Sequence, residues 1–220
     1  MRFKAITFDL DGTLLDTLED IADSANAVLE HWGYPQHDLK TYKYLVGDGI
    51  ENLVQRSLPR EKRSDDFVDQ CVQAMRAEYR QRWSNKTRPY EGIAELLNAL
   101  RDRGVTMTIL SNKPDDFTKL MVAALLPEWR FEVVLGANSE LPKKPDPTAA
   151  VQIARDLNIS VNEFLFVGDT SIDMKTAAAA GMYPVGVLWG FRTAEELAAS
   201  GARVLLAKPL DLLNLLRGGQ

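Results

Sequence analysis

Asp9 and Asp11 close a short apolar run, Ala5-Ile6-Thr7-Phe8, with one residue between them. The same plan recurs further along the chain. Ser111 ends the run Val105–Leu110, and Asp169 ends Phe164–Val167 with Asp173 shortly after it. Lys143-Lys144-Pro145 stands between these two runs. One polar strand end is an ordinary turn, here with Gly12 supplying a positive φ. Several strand ends in one parallel sheet lie on one edge, the edge at which open α/β sheets bind ligands. Four carboxylates in one crevice need a counter-charge. Two unit charges about 5 Å apart at an effective dielectric of about 20 repel by roughly 3 kcal/mol, enough to force protonation or separation. A hard divalent cation with oxygen ligands relieves that repulsion, and Mg²⁺ does so while keeping waters and bridging to phosphate. Lysine and serine beside such an ion suit a phosphoryl group. The chemistry that fits is phosphoryl transfer, in which positioning and charge stabilisation supply most of the rate.

The elements that must hold these groups follow from the patterning. Val105–Leu110, Phe131–Leu135, Phe164–Val167, Pro184–Leu188 and Val204–Leu206 read as strands. They alternate with helices over Gly92–Arg103, from Pro114 to about Leu126, from Asp146-Pro147 to Leu157, over Met174–Ala180, near Ala194–Ala199 and at the C-terminal end. Alternation of this kind implies right-handed βαβ units and a doubly wound parallel sheet. Between the first strand and Pro89 the texture is different. Helical spacing runs from Thr17 to Trp32, from Ile50 to Leu58 and from Asp65 to Trp83, with no convincing strand. Thr17 and Asp20 have the spacing of a capping box for the first of these helices. The chain therefore reads as an α/β core, residues 1–16 and 87–220, carrying an all-helical cap at 17–86.

Composition narrows the chemistry further. His31 and His37 are the only histidines and Cys71 the only cysteine, which rules out an internal disulfide and argues against a His/Cys zinc site and a His-dependent triad. Cys71 reads as a small buried hydrophobe on a cap helix. A formal net charge of −5 argues against a nucleic-acid partner. No apolar run approaches the roughly 20 residues of a membrane span, and no signal-peptide pattern precedes the first strand. The expectation is a cytoplasmic protein without membrane attachment, compatible with either a monomer or a dimer.

Asp9-Leu10-Asp11-Gly12-Thr13-Leu14, Ser111-Asn112-Lys113-Pro114, Lys144-Pro145 and Gly168-Asp169-Thr170 with Asp173 resemble, in order, the four motifs of the haloacid dehalogenase superfamily. The resemblance spans residue 3 to about 190 and implies a flavodoxin-like core with a helical cap between the first two motifs. It implies that Asp9 is the nucleophile forming an aspartyl-phosphate, and that Asp11 is the acid for the leaving alkoxide and then the base that activates water. Ser111 and Lys144 would bind phosphoryl oxygens. Backbone N–H groups at Gly12, Thr13 and Asn112 would face the phosphate. Asp9, the carbonyl of Asp11 and Asp169 would hold Mg²⁺, assisted by Asp173, which reads equally as a helix N-terminal carboxylate. Lys143 reads as a solvated loop charge.

Asp11 separates members of the superfamily, because dehalogenation needs no acid two residues after the nucleophile. Val46-Gly47-Asp48-Gly49-Ile50 is similar to the cap segment of the superfamily's phosphoglycolate phosphatases. Gly47 and Gly49 would then place bare backbone at a helix N-terminus, fit for a small carboxylate, or else form a plain loop-to-helix junction. Arg56 is a candidate partner for that carboxylate, or part of a solvated face with Arg60, Lys62 and Arg63. The expected activity is Mg²⁺-dependent hydrolysis of a small phosphorylated metabolite such as 2-phosphoglycolate. The alternatives are a sugar phosphomutase on the same scaffold and, from another class, a receiver-like phosphoacceptor, which would lack a cap insert.

Overall fold

The computed structural model of the chain describes residues 3–216. It divides into two compact units, one running to Leu15 and resuming at Pro89, the other Asp16–Arg88.

The first unit is built on β1 (Ala5–Phe8), whose four residues are all buried. It pairs in parallel with β4 (Thr106–Pro114) on one side and β6 (Phe164–Gly168) on the other. Beyond β4 lies β5 (Val133–Ala137); beyond β6 lie β7 (Tyr183–Val187) and β8 (Val204–Leu206). The resulting order is β5-β4-β1-β6-β7-β8. The chain winds outward from β1 in one direction and then from β6 in the other, so the switch in winding falls between these neighbours. Loops leave the sheet on opposite faces at such a point and open a crevice at the carboxyl ends. The central strands are near-continuous in apolar residues because helices cover both faces. Two threonines break that run without penalty, since the Thr108 hydroxyl donates to Thr7 Oγ1 at 2.9 Å across the β1–β4 pair. On one face, Ala149, Ala150, Ala154 and Ala177 let their helices approach Phe164 and Phe166 closely.

β4 departs from the expected strand. It does not stop at Leu110 but continues to Pro114, and its register with β5 breaks on the way. Leu110 pairs with Leu135 and Pro114 with Ala137, so four steps on β4 answer two on β5. A bulge of this kind re-aims side chains, and it lies at the sheet edge where Ser111 was expected. Smaller shifts occur elsewhere. The helix foreseen from Asp146-Pro147 begins at Thr148, because the Asp146 carboxylate accepts from the Thr148 N–H at 2.8 Å and turns the chain one residue later. The final helix is a 3-10 helix, Pro209–Leu216.

The second unit contains α1 (Leu18–His31), α2 (Leu39–Leu45), α3 (Ile50–Ser57) and α4 (Asp65–Arg82). α1 buries Ile21, Ala25, Val28 and Leu29, and α4 buries Val68, Cys71, Val72 and Met75. Sequence patterning misses α2, which has only seven residues and buries only Tyr42. Its start is set by Asp38, whose carboxylate accepts from the Thr41 N–H at 2.8 Å. The expected capping box does not form. Asp20 instead accepts from the Lys86 N–H at 3.0 Å and from the N–H and hydroxyl of Thr87, both at 2.8 Å. The buried N–H groups of that returning segment need an acceptor, and a carboxylate offers the stronger bond. The buried Thr17 hydroxyl is left without a hydrogen-bond partner among the described residues. β2 (Leu15–Asp16) and β3 (Arg88–Pro89) form a two-stranded sheet where the chain leaves for the second unit and returns. Among the described residues, no helix is long and apolar enough to cross a membrane.

Candidate active site

Asp9 follows β1 directly, and its N–H extends the ladder to Val167 O at 2.9 Å. The backbone at this point is therefore as fixed as the sheet. Its carboxylate accepts from Lys144 Nζ at 2.8 Å, and the same ammonium donates to Asp173 at 2.7 Å. Lys144 is held in turn by the amide side chain of Asn112, which donates to the Lys144 carbonyl and accepts from its N–H, each at 2.9 Å. The Asn112 side chain thus acts as a peptide substitute that fixes the loop. The neighbouring Lys143 is exposed, whereas Lys144 is buried.

Asp169 follows β6 directly, and Asp173 lies in the first turn of the helix Ser171–Ala180. One Asp173 oxygen accepts from the Thr170 N–H at 3.0 Å and its hydroxyl at 2.7 Å, and the other faces Lys144. Asp169 accepts from the Thr13 hydroxyl at 3.1 Å and from the Phe191 N–H at 2.8 Å. Asp9, Asp169 and Asp173 each offer an oxygen within 4.8 Å of the others. Oxygens on opposite sides of an ion bound at about 2.0–2.6 Å stand about 4–5 Å apart, so one hard divalent cation suits this donor set.

Burial dominates the electrostatics. It pushes the Asp9 carboxyl up to about 7, against the lowering effect of Lys144 and with further upward pressure from Asp173 and Asp11. Asp169 is driven well above the usual carboxylate range by burial and then by Asp173 and Asp9. Burial would lower the Lys144 ammonium, but Asp173 and Asp9 outweigh it and hold that group above the ordinary lysine value. Without a cation, the cluster is a site that favours protons.

Gly12 is needed on two counts. Its φ is +84°, and a Cβ there would overlap the Asp169 carboxylate. Gly190 is constrained by space alone, since a Cβ would collide with Asp169 and with the Gly12 carbonyl. Ser111 is buried, and its Oγ accepts from the Lys113 N–H at 3.3 Å. Two contributions escape the sequence reading. Lys113 donates to both Asp11 oxygens, at 3.0 and 3.1 Å. The segment Trp189-Gly190-Phe191, following β7, closes the site, with Trp189 Nε1 donating to the Thr13 carbonyl at 3.0 Å. The only signal for this segment was a glycine just past a fifth strand end on the same sheet edge.

Gly47, Gly49 and Arg56 belong to the second unit. Gly49 precedes α3 with φ +87°, and Arg56 forms an ion pair with Asp48 at 2.5 Å. Arg56 therefore already has a carboxylate partner within its own unit.

Residues 6–187 match the family of haloacid dehalogenase-like hydrolases. A phosphoglycolate phosphatase of Nitrosospira multiformis is 35% identical over 90% of this chain and 88% of its own length. That of Chromobacterium violaceum is 30% identical over 99% of this chain and 98% of its own. A solved structure from Lactobacillus delbrueckii subsp. bulgaricus, described as a candidate phosphoglycolate phosphatase, superposes with a TM-score of 0.91 at 28% identity, each chain fully covered. The chain belongs to the haloacid dehalogenase-like hydrolases. Its site is that of an enzyme, and the curated relatives just described are phosphatases.

Proposed function

We propose that this protein is a Mg²⁺-dependent phosphomonoester hydrolase of the cytoplasm, acting on 2-phosphoglycolate or a phosphate ester of similar size. The observation that carries this reading is Lys144 joining Asp9 to Asp173 beside Asp169, a buried cation among carboxylates at a sheet switch point. The names of the curated relatives support the substrate class. Asp9 attacks phosphorus through a carboxylate oxygen, the ester P–O bond breaks, and Asp11 gives its proton to the departing alkoxide. Water then attacks the aspartyl-phosphate while Asp11 takes its proton, which releases phosphate and frees Asp9. Ser111 and Lys144 hold the phosphoryl oxygens, with N–H groups of Gly12, Thr13 and Asn112. Asp9, the Asp11 carbonyl, Asp169 and Asp173 would hold Mg²⁺, which when bound neutralises charge on the transferring group. Residues 17–86 act as the cap that selects the substrate. There Gly47, Gly49 and Arg56 would meet a small carboxylate, Arg56 after exchanging its Asp48 partner.

The test is a phosphate-release screen over small phosphomonoesters with and without Mg²⁺, ranked by kcat/KM. Release from small carboxylated esters, abolished by chelation, is expected. Interconversion of hexose phosphates without net release would overturn the reading in favour of a mutase.

The raised carboxyl of Asp9 gives a second test. An unfolded chain loses this proton near the ordinary carboxylate range, whereas the folded chain keeps it to about 7. Stability of the metal-free protein therefore falls as pH rises between these values, and the loss is complete above the higher one. A divalent cation replaces the proton and removes the penalty. Thermal melts should show Mg²⁺ raising the midpoint more at about pH 8 than at about pH 5.5. An equal gain at both would refute proton–metal exchange at Asp9.

A further inference from the structure

The bulge in β4 that places Ser111 also places Lys113. Both residues are buried in the bulged stretch, and the Lys113 side chain reaches Asp11 just past the end of β1. Lys113 is fixed on either side of its Cα: its N–H donates to Ser111 Oγ at 3.3 Å, and its carbonyl accepts from the Thr118 hydroxyl at 3.2 Å. Its ammonium reaches both oxygens of Asp11, at 3.0 and 3.1 Å, and the two side chains are only 4% and 12% exposed. Breaking so buried a pair by removing one partner leaves an uncompensated charge, so Asp11 is held firmly. The two lysines thereby divide the carboxylates. Lys144 takes Asp9 and Asp173, Lys113 takes Asp11, and the Asp11 side chain is absent from the group that could share a cation among the described residues.

We propose that Lys113 is a positioning residue for Asp11, holding its carboxylate out of the metal cluster and on the side of the ester oxygen. This inference rests on the phosphatase reading above, in which Asp11 is the proton donor. Leaving-group dependence is the discriminating property. An alkyl phosphate departs as an alkoxide and needs a well-placed donor, whereas p-nitrophenyl phosphate departs as a stabilised phenolate and does not.

First-turnover rates of leaving-group release should be measured with Mg²⁺ for wild type, Lys113→Met and Lys113→Arg on 2-phosphoglycolate and p-nitrophenyl phosphate. General acid catalysis contributes about 10²–10⁴-fold. Lys113→Met should accordingly lose at least about 30 times more rate on the alkyl ester than on the aryl ester. Lys113→Arg should recover most of that difference. Lys113→Gln, which keeps one donor to Asp11, should show the same bias to a smaller degree and serves if the methionine variant does not fold. Equal losses on both esters, or no loss on either, would overturn the proposal. A wild-type enzyme inactive on both esters would instead overturn the phosphatase reading.

Discussion

Asp9→Asn should reduce phosphate release by about 10⁴-fold or more while the chain keeps its fold. The amide cannot form the acyl phosphate, and no other carboxylate continues β1 at the place of attack. The fold survives because Asp9 opposes folding in its charged form, burial having raised its carboxyl to about 7. Lys144 also keeps Asp173 at 2.7 Å. In the absence of metal at about pH 8, where the Asp9 penalty is fully present, the asparagine variant should melt no lower than wild type. Phosphate release measured beside circular-dichroism melts checks both halves. Turnover above roughly 1% of wild type would remove Asp9 from the role of nucleophile.

Lys144→Met should have the second-largest effect, on stability as well as rate. Its ammonium is the cation shared by Asp9 and Asp173, and the residue is only 3% exposed. Removing it leaves two buried carboxylates facing each other, a loss of about 3–5 kcal/mol by comparison with other broken buried pairs. For a chain of this size that corresponds to a fall of about 6 °C or more in the metal-free melting midpoint. Mg²⁺ should restore part of the loss, because when bound it would supply positive charge to the same carboxylates. Turnover should fall about 10²–10³-fold even with Mg²⁺ present, since under the proposed mechanism a fixed donor to the phosphoryl oxygens is gone. Lys144→Arg should not rescue it, because a planar guanidinium fork does not reproduce a compact ammonium that meets Asp9 at 2.8 Å and Asp173 at 2.7 Å. A metal-free midpoint within about 2 °C of wild type would show that the ion pair is not what offsets the buried charge.

Much of the core and of the carboxylate group was legible because a parallel sheet turns sequence position into spatial position. Once Asp9, Ser111 and Asp169 each follow a buried strand, the sheet leaves them nowhere to go but one edge. The carboxylates and Lys144 also announce themselves by charge. Lys113 did not, although it stands in the same four-residue stretch as Ser111. Its aim depends on a register break between β4 and β5, and a strand taken to end at Leu110 gives no face to the residues beyond it. Trp189, Gly190 and Phe191 were missed for another reason. They contribute an indole N–H, a missing Cβ and a backbone N–H, none of which has a charge or a spacing to read. The Thr17–Asp20 spacing misled in the opposite sense, because a local pattern lost to donors at Lys86 and Thr87, far away in sequence.

That last pairing has a consequence for how such a protein can change over generations. Asp20 ties the outgoing end of the Asp16–Arg88 segment to its returning end from within the segment itself. Whatever lies between leaves and rejoins the chain at a stem, the paired strands Leu15–Asp16 and Arg88–Pro89. Insertion and exchange of whole domains succeed where the joined ends lie close together. Lineages could therefore shorten, enlarge or replace this segment by recombination at the stem and leave the strand carrying Asp9 and Asp11 intact. The reacting groups and this segment can be inherited separately.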